Sequence, residues 1–581
     1  MKKALLFGLL VAVAYGVQAG DIFSIVTTGN STEVRLAIAA GADVNGRDEN
    51  GWTPLMLAAN NNESTAVIQK LVAAGANVDA RTERNSTPLM MAARDNGNAA
   101  VVQILIDAGA DVNARNRDGW TPLIFAAGFN APPVVGILID AGADVSAGDN
   151  GGWTLATNAA RHNSNPEVMK LLLEAGGDAN AYDEYGWTPL MAAARYNENP
   201  AVTRILLDSG AHINSRTEAG STPFFLAAGH NTTTIIQILI EHGADTGART
   251  NSGSTPLVVA VQNNRDTTIL QLLVDTEADV DARNDLGWTP LFVAIQDNRV
   301  DIVRLLIQAG ADVDARTDGD RTPLQMAAWK NATPEIIQML IAADADTTAR
   351  DGNGLTALMY SAFFNNNQEV IQILLNAGDN VNASSADGST ALTLAANNNK
   401  NPEVLRVLID AGAIVDARNQ NGYSPLMAAA RHNTSHAITQ VLIDSGAVAN
   451  ARTQEGWTSL LLGSLYNENH EVIQALIEAG ADVTMANSGG YTALMLAARA
   501  NENPAVSRVL IAAGANLSAR CPVDGWTSLM HAVRHSASPA VVEELLYAGA
   551  EVTNDVWALI NRNDALRGTD VYWLINDLRF E

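Results

Sequence analysis

Apolar residues along this chain fall into two alternating groups that return every 33 or 34 residues. In residues 185–216 the first group is Leu190, Ala193 and Ala194, small side chains at helical spacing. The second is Val202, Ile205, Leu206 and Leu207, a bulkier apolar stripe. Polar and turn-forming residues separate the groups. The pattern predicts two short helices per unit, the first with a face small enough for close packing.

The helix ends are also written in the sequence. Gly186-Trp187-Thr188-Pro189 opens the first helix. The Thr188 hydroxyl can accept a free N–H of the first turn, and Pro189 suits the first helical position because it has no N–H to leave unpaired. Asn197 closes this helix, and a helix that must turn back predicts a left-handed residue there. Asn199-Pro200 starts the second helix and Gly210 ends it. With the Thr (Ser424 once) as marker, the unit recurs at 53, 87, 121, 154, 188, 222, 255, 289, 322, 356, 390, 424, 458, 492 and 527, fifteen copies with a single step of 35. The Asn column includes Asn62, Asn96, Asn264 and Asn501 and is broken only by Ser536. The Gly column is broken by Glu277 and Asp344, which predicts two weaker joints, since a left-handed residue with a Cβ costs about 1 kcal/mol. Pro is missing after Thr154, Thr356, Thr390, Thr458, Thr492 and Thr527, which predicts weaker helix starts toward the C-terminus.

A period of this length signals a solenoid, one elongated domain however long it grows. Gly-x-Thr-Pro-Leu, then Ala-Ala, a second helix and Ala-Gly-Ala-Asp-Val-Asn-Ala-Arg resemble the ankyrin repeat. The resemblance implies an all-α solenoid of stacked units, each two antiparallel helices and a β-hairpin finger, in a curved superhelix. Residues 20–48 are expected to form an N-terminal capping repeat, 49–550 fifteen repeats and 551–581 a C-terminal cap of two short amphipathic helices. One column departs from the family. Where ankyrins usually carry His after Thr-Pro-Leu, this chain has Met56, Met90, Met191, Met359, Met427, Met495, Met530 and other residues, never His. Apolar packing is expected to take over that role.

Charge narrows the function. A net charge of −27 leaves no basic footprint, which argues against nucleic acid and against an anionic membrane surface. Cys521 is the single cysteine, so neither an internal disulfide nor a four-cysteine metal site can form. A buried or inert thiol is expected. Lys2 and Lys3, the apolar run Ala4 to Tyr15 and Val17-Gln18-Ala19 have the form of a secretory signal over 1–19, predicting export to a periplasm or the medium and no membrane insertion afterwards.

No phosphate loop, His-Glu-x-x-His or Gly-x-Ser-x-Gly is present, so no catalytic residue and no cofactor are expected. His162, His230 and His432 share a column but lie two or more repeats apart and cannot meet on one metal; no metal site is expected. Carboxylates occupy turn and capping places. The informative columns vary while the frame stays fixed. Trp52, Trp120, Trp153, Trp187, Trp288, Tyr423, Trp457, Tyr491 and Trp526 precede the marker residue. Arg161, Arg195, Tyr196, Trp329, Arg431 and Arg499 end the first helix, and Arg81 belongs to an arginine column on the fingers. In ankyrin proteins the matching places line the fingers and concave face where partners bind, and Trp, Tyr and Arg dominate interface energy. A monomer recognising a protein or extended peptide is the first expectation. A cell-wall component stacking its Trp ladder on glycan, and an effector delivered to host proteins, are alternatives. The plainer readings stay open: each Trp packs on its own finger, and the finger arginines pair with acids such as Glu49, Glu83 and Glu218.

Overall fold

A computed structural model describes residues 22–263, 266–276 and 278–580. The segment read as a signal, Asn264 and Glu277 lie outside the described residues. The chain divides into two compact units, one running to Asp285 and the other beginning at Leu286.

Each unit is a succession of helix pairs. The pair Pro189–Tyr196 and Pro200–Asp208 is typical, eight residues followed by nine. Within each unit, first helices pack on the first helices of neighbouring pairs and second helices on second helices. Leu190, Met191, Ala193 and Ala194 are fully buried between them. Among the described residues there are no strands. The fingers hold only isolated bridges, such as Gly148 with Thr154, in place of the expected β-hairpins. The reason is length: the finger turns within five residues, closed by bonds such as Asp183 N–H to the Trp187 carbonyl (3.2 Å) and Gly186 N–H to the Asp183 carbonyl (3.0 Å).

Helix starts follow the expectation. Thr188 Oγ1 accepts the Met191 N–H at 3.4 Å with Pro189 at the first position. Units without Pro, such as Ala357–Phe364, start at the same place, because the Thr cap is sufficient. The column that lacks His keeps a hydrogen bond: the Met56 and Met90 sulfurs each accept the cap residue's N–H at 3.4 Å. Gln325 does more, accepting from Thr322 N–H and donating to the carbonyls of Ala349 (2.8 Å) and Leu355 (2.9 Å) in the following finger.

The Asn column departs from expectation. Asn62, Asn96 and Asn197 have φ of −113°, −89° and −103°, extended and not left-handed. Among the described residues of this column only Asn298 (55°) and Asn331 (58°) turn left-handed, after first helices one residue shorter. At most of the other described positions the side chain does the work, although the Asn365 Nδ2 has no partner. Asn96 Nδ2 donates to the Ala59 (2.9 Å) and Asn62 (3.1 Å) carbonyls of the previous pair, and Asn96 Oδ1 accepts the Asn98 N–H (3.0 Å). Within the first unit these amides form a ladder from Asn62 to Asn231, and within the second a ladder from Asn399 to Asn563. Asn62 reaches the Val26 and Gly29 carbonyls of the first pair. Asn563, before the last helix Asp570–Leu578, reaches Val533 and Ser536. The Gly column is left-handed as expected, Gly210 at φ 85° for instance, and Asp344 is forced to 65° in its place.

Candidate functional site

The finger that precedes each first helix is closed by a side-chain oxygen. Asp183 Oδ1 accepts the N–H of Trp187 at 2.7 Å, and Asn116 does the same for Trp120 at 2.8 Å. This fixes the backbone of the aromatic column and leaves its side chains half-buried over the end of the first helix. One helical turn and more separates the marker from that end, so rings of the finger column and side chains of the helix-end column meet.

They meet most densely in the first unit. Trp153 stacks on Trp187 with centroids 6.0 Å apart, and Trp187 stacks on Tyr196 at 6.0 Å. Arg161 lies over Trp153 (4.8 Å) and Tyr196 (4.6 Å), and Arg195 over Tyr196 (5.3 Å) and Trp187 (6.0 Å). Five residues singled out in the sequence thus form one cluster. Tyr196 is 41% exposed, so the cluster opens to solvent. Neither guanidinium is within ion-pair distance of a carboxylate in any pair formed among the described residues. Burial, then the adjacent Arg161, lowers the pKa of His162 beside this cluster.

The second unit repeats the motif in smaller pieces. Arg431 lies over Tyr466 (4.5 Å) and Tyr423 (5.9 Å), and Arg499 over Tyr491 (5.7 Å). Trp329 carries two cations over its ring, Arg321 (4.5 Å) and Lys330 (4.3 Å). Arg321 also donates to Tyr360 Oη (2.9 Å), whose own O–H donates to Asp351 (2.7 Å); burial and that carboxylate raise the phenol's pKa.

Other expected residues are placed differently. Trp120 packs on Phe125 (5.0 Å) and Phe129 (6.0 Å). Trp288 faces Phe292 (6.5 Å), and Trp457 covers the buried Met427 and Leu462. Trp52 lines a shallow hollow with Met91, Arg94 and Asp95. Trp526 faces His531 (5.3 Å) and His535 (5.7 Å). Arg81 donates to the carbonyls of Asn85 (3.3 Å) and Arg115 (3.0 Å), and Arg47, Arg350 and Arg418 make the same two bonds. These finger arginines therefore stitch one finger to the next through backbone carbonyls; Arg249 and Arg316 also pair with acids, Asp279 (3.5 Å) and Asp320 (3.1 Å), whereas Glu49, Glu83 and Glu218 form no ion pair among the described residues. Phe129, 46% exposed under Arg94 and beside His162, was missed in the sequence although it occupies the same column as Tyr196.

No helix among the described residues is long and apolar enough to cross a membrane. Compared with known families, the chain matches the model described as ankyrin repeats (3 copies) in seven overlapping stretches, 55–149, 146–217, 196–284, 266–351, 324–419, 395–487 and 461–555. A comparison with curated proteins gives no match.

Proposed function

Because this chain belongs to the ankyrin repeat family, whose repeats generally mediate protein–protein interaction, we propose that it is a non-catalytic scaffold gripping a protein or extended peptide on its finger face. One observation supports this above the others. On a chain of charge −27, Arg161 and Arg195 are held on aromatic rings without a carboxylate partner of their own. A guanidinium so held keeps its in-plane donors for an incoming carboxylate, while Trp153, Trp187 and Tyr196 offer ring area. An extended segment carrying Asp or Glu beside apolar residues has the matching chemistry.

Export is part of the proposal and rests on the pattern of residues 1–19. Mass spectrometry of the chain recovered from periplasm or medium should find Gly20 at the N-terminus.

The test of recognition is the double substitution Trp187→Ala with Arg195→Ala. The wild-type chain should retain a protein from periplasm or medium extract and the double variant should lose it, with far-UV circular dichroism unchanged. Equal retention by both would refute the proposal. Sedimentation of the chain with purified peptidoglycan, lost in the same variant, would instead favour glycan recognition.

A further inference from the structure

The single step of 35 residues falls in the finger at 519–526, and the extra residue changes the finger's chemistry. In the fourteen preceding fingers one position always carries a side-chain oxygen: Asp48, Thr82, Asn116 and so on to Thr453 and Asn487. That oxygen accepts the N–H that closes the finger, as Thr453 does for Trp457 (3.1 Å) and Asn487 for Tyr491 (3.1 Å). At the fifteenth finger the position is Cys521, which keeps the backbone bond (Cys521 N–H to the Trp526 carbonyl, 3.0 Å) but has no oxygen to offer. Asp524 takes over, its Oδ1 accepting the Trp526 N–H at 2.9 Å. The second carboxylate oxygen is thereby turned inward, 3.7 Å from His531 Nε2.

His531 is the second, independent observation. Its side chain is 1% exposed, and neither ring nitrogen has a hydrogen-bond partner. A buried imidazole with both nitrogens unpaired is costly unless something else uses them. Every other first helix carries a different residue here, among them Leu57, Met91, Ala192 and Leu496. Cys521 is also buried, its sulfur 3.5 Å from the Gly489 carbonyl. The thiol sulfur, the Asp524 oxygen and a His531 ring nitrogen lie within 4.8 Å of one another.

We infer that Cys521, Asp524 and His531 form a binding site for one divalent transition-metal ion, best matched by Zn2+. A thiolate, an imidazole and a carboxylate are the donor types this ion takes, and three protein donors leave a fourth position for water. Bonds of about 2.0–2.3 Å place neighbouring donors roughly 3.5 Å apart. The cluster must close by about 1 Å, which the Asp524 carboxylate at the exposed finger tip can supply. Coordination releases the Cys521 thiol proton to solvent, and the thiolate and carboxylate then balance the ion's two charges. The rings of Tyr491 (5.5 Å from His531) and Trp526 wall the site, and Tyr491 Oη donates to Asp524 Oδ2 at 3.4 Å, orienting that ligand.

The experiment uses the untagged full chain, titrated with Zn2+ alone by calorimetry and with Co2+ alone by absorption. One ion per chain should bind at this site, and Co2+ should give a thiolate-to-metal charge-transfer band that added Zn2+ removes. Cys521→Ser should abolish the band. Asp524→Asn, on the exposed finger and able to keep the acceptor for Trp526 N–H, should weaken binding at least tenfold with unchanged circular dichroism. His531→Ala should abolish the site. No thiolate band, or a band that survives in both Asp524→Asn and His531→Ala, would overturn the inference. Weak Co2+ binding without that band would be carboxylate binding elsewhere on this acidic surface, and would overturn it too.

Discussion

The side-chain amide of Asn197 donates to the backbone carbonyl of Asn163, one repeat earlier, at 2.9 Å. The same nitrogen reaches the Ala160 carbonyl at 2.8 Å, and Asn197 Oδ1 accepts the Asn199 N–H at 3.0 Å. Asn197 is buried and these bonds are buried or partly buried, so Asn197→Ala leaves two carbonyls and an N–H without partners. A loss of about 2–3 kcal/mol is expected, since each unmet buried group costs roughly 1 kcal/mol or more. Urea denaturation should show it as a lower midpoint. Because φ is −103°, Asn197→Gly should be no better. Rescue by Gly would mean that backbone freedom, not the amide, is what this column supplies.

Two positions after the second helix make a reciprocal pair. A Cβ added at Gly210 would meet no atom within 4 Å, yet φ is 85°. The cost of Gly210→Ala is therefore conformational, about 1 kcal/mol. Asp344 already bears that strain at φ 65°. Asp344→Gly should stabilise the chain by a similar amount, and thermal melts of the two variants should move in opposite directions. A fall in stability for Asp344→Gly would show that its side chain makes up for the strain.

Arg418 donates to the Gly422 (3.0 Å) and Arg452 (2.7 Å) carbonyls, neither of which carries a net charge. Arg508 instead pairs with the Glu544 carboxylate on the surface. Salt screens the second kind of contact far more than the first. Arg418→Ala should lower stability by about 0.5–1 kcal/mol at low and high salt alike. The effect of Arg508→Ala should shrink toward zero as salt is raised. Equal salt sensitivity would contradict the carbonyl assignment.

The parts of this fold that were legible in the sequence are those whose cause is local. Thr188, Pro189 and Gly210 act on their own helix ends, so the residue type alone gave boundary and conformation. Asn197 acts on carbonyls 34 and 37 positions away, and local propensity therefore points to a left-handed turn it does not make. The same holds at the surface. The period put Trp187 and Tyr196 in columns that face the same way, but which rings touch depends on the neighbours one repeat off. Trp153 gained partners, whereas Trp457 covers Met427. The arginines of the fingers looked available because backbone carbonyls leave no mark in a sequence. The step of 35 at Cys521 was visible, but only geometry brings Asp524 and His531 to it.

Asp379 stands where most repeats carry Ala after the left-handed Gly, as at Ala211 and Ala413. It is 6% exposed. Burial pushes its carboxyl up to about 6, only partly opposed by the Leu358 N–H that donates to Oδ2 at 3.1 Å. Its other oxygen has no partner. In the unfolded chain the group titrates near 3.8. Between about pH 4 and pH 6 the folded state therefore holds a proton that the unfolded state has released, and stability must fall as pH rises through that window. The contribution is fully present below the unfolded value and gone above pH 6. A carboxyl raised this far is worth on the order of 2–3 kcal/mol. Asp379→Ala removes the group, so the variant should gain on wild type as pH rises from about 4.5 to about 7.5 and be the more stable chain at neutral pH. Subtracting paired urea denaturation curves at each pH cancels the other carboxylates. A difference that stays flat across the window would show that Asp379 is ionised in the folded chain.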